Sequence, residues 1–178
     1  HIWMVPALWE YAINATRDAL TDLRPDAADL LAANTDRYLS EARATNTYAR
    51  EALGSVPPNA RVLVTAHDAF AYFGRAYDFE VLGIQGISTE SEAGLARISA
   101  LVDPLVTRQI GAVFVESSVS DRNVRALVEG AAARGHTVRI GGELFSDAMG
   151  IPGTYEGTWL GMIDHNATTI PRALGGTA

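Results

Sequence analysis

Hydrophobic residues in this chain change their spacing once, near Pro57-Pro58. Before that point apolar positions recur at helical intervals. Leu8, Ala12, Ala15 and Ala19 mark one apolar side and predict a helix over residues 3–23. Pro25 breaks it, and a longer helix is expected over 26–53, with Leu30, Leu31, Tyr38, Ala42 and Leu53 on its apolar side. Gly54 suits the end of that helix, and Pro57-Pro58 prevents its continuation. After Pro58 short apolar runs alternate with amphipathic stretches. Strands are expected at 61–66, 79–86, 112–116 and 137–140, and helices at 69–77, 90–107, 121–134 and 155–174. Thr89-x-x-Glu92 has the spacing of a capping box for the second of these helices. Strands alternating with helices imply an α/β fold with a four-stranded parallel sheet and right-handed crossovers. The chain thus divides into a helical region, 1–58, and an α/β region, 59–178.

Composition narrows what such a fold does. A net charge of −7 argues against a nucleic-acid partner, which needs a basic surface. All 14 basic residues are arginine and none is lysine, with no basic cluster. Cysteine is absent, which excludes disulfides and thiolate metal sites. No apolar run approaches the roughly 18 residues a membrane span needs, and no signal peptide is visible. The chain opens His1-Ile2-Trp3-Met4, so an N-terminal portion, with any targeting signal, is expected to precede it.

Chemistry concentrates at expected strand ends. His67 closes the run Val62-Leu63-Val64-Thr65-Ala66-His67, at the sheet edge where α/β proteins bind ligands. Asp147 lies in the loop after the fourth strand and emerges on the same edge. His1 is a third donor of suitable type. Imidazole and carboxylate together suit Zn²⁺ or Mn²⁺. Glu116, ending the third strand, suits an acceptor that orients an imidazole. Glu143 is an alternative ligand, and Asp68 either caps the next helix or acts as a base. His136 falls at the opposite edge, and His165 reads as a surface or packing residue. No serine sits in a nucleophile elbow, and Gly141-Gly142 lacks phosphate-loop spacing.

Five segments, in order, resemble one family. They are His1-Ile2-Trp3-Met4, Thr65-Ala66-His67-Asp68-Ala69-Phe70, Gly83-Ile84-Gln85-Gly86-Ile87-Ser88-Thr89-Glu90, Phe114-Val115-Glu116-Ser117-Ser118 and Leu144-Phe145-Ser146-Asp147. The set is similar to the zinc/manganese solute-binding proteins of bacterial ABC importers. That resemblance implies two α/β lobes joined by a long rigid helix, with metal held between the lobes by four side chains. His1 with Trp3 matches the end of the family's Asp-Pro-His-x-Trp motif, and His67 and Asp147 match the third and fourth ligands. The first ligand and the N-terminal lobe lie outside this sequence. Val5-Pro6 departs from the Asp-Val common in relatives.

The resemblance implies a monomeric protein, periplasmic or extracellular and membrane-anchored. It would capture Mn²⁺ or Zn²⁺ and pass the ion to an ABC permease and its ATPase, without being an enzyme. Zn²⁺ is expected to bind more tightly than Mn²⁺ by the general affinity order. Two other readings remain: a metal-dependent hydrolase with Glu116 or Asp68 as base, and a surface adhesin with structural metal.

Overall fold

A computed structural model describes residues 1–88 and 94–178. A 3₁₀ turn, Ile2–Met4, leads into α1 (Pro6–Leu23), with Pro6 at its first position. The second helix, α2 (Ala28–Gly54), has 27 residues and spans about 40 Å at 1.5 Å per residue. The α/β region follows as β1 (Val62–His67), α3 (Ala71–Tyr77), β2 (Glu80–Gln85), α4 (Leu95–Thr107), β3 (Ala112–Glu116), α5 (Arg122–Ala133), β4 (Arg139–Leu144) and α6 (Trp159–Leu174). The expected capping box at 89–92 and the expected start of its helix at 90 lie outside the described residues.

The parallel sheet consists of two hydrogen-bonded pairs, β1–β2 and β3–β4. β1 lies beside β3, which gives the order β2-β1-β3-β4. His67 and Glu116, the last residues of β1 and β3, touch each other, so both pairs point the same way. The first residues of the two strands, Val62 and Ala112, line one hollow at the other edge.

Alternation along the strands feeds two cores. Val62, Val64, Ala66 and Val113 face α4 and α5, and pack on Leu101, Leu105, Val124 and Leu127. Leu63 and Phe114 face the opposite side, where Leu53, Phe73, Met162 and Ile170 come from α2, α3 and α6. Helices therefore cover both faces of the sheet, which is what a parallel sheet requires.

Several sequence expectations shift. Ala15 and Ala19 are exposed on α1, and Leu30 on α2 is 64% exposed. Trp9 and Ile13, with the expected Ala12, Leu31 and Tyr38, line an apolar hollow between the two helices. On α3, Tyr72 is exposed and Phe73 and Tyr77 are core. β4 runs to Leu144, four residues beyond its predicted end, and α6 begins at Trp159 rather than 155. The Thr158 hydroxyl accepts from Gly161 N and fixes that start.

Candidate metal centre

Between β1 and β3 the chain reverses the direction in which it adds strands. At such a switch point the loops diverge and leave a crevice at the C-terminal strand ends. Side-chain parity then selects what faces it. His67 shares a face with Leu63, and Glu116 with Phe114, so both point toward α3 and α6. Met4, wholly buried in that core, anchors the first turn and brings His1 to the same place. The loop after β4 supplies Asp147.

The Asp147 carboxylate lies between two imidazoles. Its Oδ1 is 3.2 Å from His1 Nε2, and its Oδ2 is 3.2 Å from His67 Nε2. One donor atom from each of the three residues falls within 4.8 Å of the others, a spacing able to hold a metal ion. The two imidazole rings meet edge to face, with centroids 5.4 Å apart. The His67 side chain is fully buried, His1 is 13% exposed and Asp147 36%, so the cluster opens on the aspartate side.

Glu116 sits behind His67. Its Oε2 is 2.7 Å from His67 Nδ1, and its Oε1 accepts the His67 backbone N–H at 2.9 Å. The Ser146 hydroxyl also donates to Oε2. A carboxylate on Nδ1 favours the proton there and leaves the Nε2 lone pair facing the other donors. Both ring nitrogens lie in close carboxylate contact without an aligned hydrogen bond, and Nε2 is the one that faces the other donors. Burial pushes the His67 pKa down, but Glu116 and Asp147 together outweigh it, and the value rises above the ordinary 6.5.

The family model for "zinc-uptake complex component A, periplasmic" (ZnuA) matches residues 1–173. The chain belongs to this family. Among relatives of this ZnuA-family chain, the manganese-binding lipoprotein MntA of Bacillus subtilis is 48% identical over 174 residues, covering 98% of this chain and 57% of the relative. The zinc-binding protein TroA of Treponema pallidum is 46% identical over 174 residues, covering 98% and 56%. The solved structure of periplasmic zinc-binding protein TroA from Treponema pallidum superposes with a TM-score of 0.95 over 98% of this chain and 63% of that one. This chain therefore spans little more than half the length of the curated relatives it matches.

Other candidates fall elsewhere in this ZnuA-family fold. Glu143 lies within β4, outside the donor cluster, and its carbonyl contacts His165 Nε2 at 2.9 Å. The His165 ring packs on Phe145 at 4.6 Å. His136 Nε2 contacts the Ile110 carbonyl, near the edge away from the cluster. Asp68 does not cap α3, whose N-cap is Phe70. Sequence reasoning missed Ser146 and Trp159. The usable signal for Trp159 was its type, because a buried indole N–H needs an acceptor.

Proposed function

We propose that this chain forms the long helical region (1–58) and the metal-holding α/β lobe (59–178) of an extracytoplasmic protein that captures Mn²⁺ or Zn²⁺. The protein hands the ion to an ABC permease driven by its ATPase, and the metal is cargo. The convergence of His1 Nε2, His67 Nε2 and the Asp147 carboxylate carries this reading. Names of relatives support it on both metals, since one is manganese-binding and another zinc-binding. One relative is named a lipoprotein, which fits a lipid anchor outside these residues.

Each residue has a task. Asp147 supplies negative charge and one oxygen toward each imidazole. His1 and His67 supply neutral nitrogen. Glu116 holds the His67 ring in the tautomer that leaves Nε2 free to ligate. Three donors are one short of the usual four for Zn²⁺, and one further ligand would complete the site. Glu116 is committed to His67 and Ser146, which leaves it unsuited to serve as the base of a hydrolase.

Titration with Zn²⁺ and Mn²⁺ under chelator competition tests the proposal. About one ion per chain is expected. His67→Ala should weaken affinity at least about 100-fold, the upper range for disturbed metal sites, and His165→Ala should leave it unchanged. Wild-type affinity in His67→Ala would overturn the assignment.

A further inference from the structure

The two outer ligands of the cluster come from opposite ends of the chain, and one indole joins them. Trp3 Nε1 donates to the Ser146 carbonyl at 2.9 Å across 143 residues of sequence. Trp3 lies two residues after His1, and Ser146 immediately precedes Asp147. Trp3 is itself held, because Trp159 Nε1 donates to its carbonyl at 2.9 Å. Ser146 is 1% exposed and fixed at both ends, by Trp3 at its carbonyl and by Glu116 at its hydroxyl.

We propose that the Trp3 indole N–H is a positioning group for metal capture: it sets the distance between His1 and Asp147 by tying Trp3 to the Ser146 carbonyl, with Trp159 as its anchor. This inference rests on the capture reading above and adds residues that do not touch the ion. Among the described residues, the Trp3–Ser146 bond is the hydrogen bond that directly joins the His1–Met4 turn to the Asp147 loop. Asp147 is exposed and carries no rigid element of its own, since β4 ends at Leu144 and α6 begins at Trp159. The indole N–H is a donor only, and its bond to Ser146 is made without an ion in place. Its consequence is preorganisation: the ion does not have to order two separate segments when it binds.

Trp3→Phe tests the proposal, because it keeps an aromatic ring beside His1 and removes the N–H. Zn²⁺ affinity, read by chelator competition, should fall about tenfold, the lower end for outer-shell partners. The visible absorption bands of the Co²⁺-loaded variant should shift, since these bands follow ligand geometry, while the metal-free variant still folds cooperatively, with a melting temperature lowered by loss of the donor to the buried Ser146 carbonyl. In an Asp147→Asn background the same substitution should change affinity less than twofold, because its effect runs through Asp147. Affinity within twofold of wild type, or an undiminished tenfold loss in the Asp147→Asn background, would overturn the tie. Should Trp3→Phe fail to fold, Trp159→Phe decides the matter by the same readings. A wild-type protein that binds neither metal, or a His67→Ala variant that binds normally, would instead overturn the capture reading.

Discussion

His67 is fully buried between two carboxylates, and at the proposed site the balance among the three would govern how protons compete with metal. Its pKa in the metal-free fold lies above the ordinary 6.5, because Glu116 and Asp147 together outweigh burial. The sign follows from linkage. A raised imidazole pKa stabilises the metal-free fold fully below the unfolded value, and that contribution disappears as pH rises through the raised folded value. Metal requires the neutral ring, so its apparent affinity runs the other way. Zn²⁺ affinity should climb with pH across and beyond 6.5, with proton release measurable by calorimetry in buffers of different ionisation enthalpy. Glu116→Gln should move that climb to lower pH. Flat affinity over roughly pH 5.5 to 8 would contradict the coupling. His67 and Glu116 were legible at expected strand ends and Asp147 in the loop after one, whereas His1, ahead of the first helix, was legible only from its type and the family motif. Ser146 and Trp159 were not, because they act through backbone and carboxylate partners far away in sequence.

At the scale of elements, the Gly141-Gly142 pair explains a misread boundary. The register of β3 against β4 slips between Val113 and Phe114, where Ile140 pairs with the first and Gly142 with the second. Gly141 is the extra residue, and glycines at such a bulge let another backbone or helix approach closely. Here α6 does so. A Cβ on Gly141 would lie 2.7 Å from Ala173 Cβ, and one on Gly142 2.6 Å from Thr169 Cγ2. Gly142 also has φ +153, which side chains seldom adopt. Gly142→Ala should therefore destabilise the fold by about 1–3 kcal/mol, read from the urea midpoint, and a neutral result would refute close packing of α6. Without apolar side chains at 141 and 142, the strand looked finished at Ile140. The strands β1 and β3 were legible because apolar runs mark them. The inward face of α1 was legible only in part: Ala12 lines the hollow against α2 beside Trp9 and Ile13, whereas Ala15 and Ala19 are exposed.

In the whole molecule, helices on both faces of the sheet leave its C-terminal edge as the place where distant segments meet. Binding there must stabilise the fold, since an unfolded chain has no such convergence. Zn²⁺ at 100 times its dissociation constant should add about 2.7 kcal/mol, which for a chain of this size raises the melting temperature by about 5–10 °C. Scanning calorimetry with and without Zn²⁺ measures this, and an unmoved transition would argue against a preformed site. The α/β class was legible from alternation alone. The packing of β1 beside β3, which creates the crevice, depended on contacts that no local pattern records.

The chain has three tryptophans, and Trp3, Trp9 and Trp159 all line the hollow beside Asp147. Within this chain, ultraviolet emission excited in the indole band therefore comes from side chains around that hollow. A change in this emission on adding Zn²⁺ would report loading at Asp147 in real time and without a label.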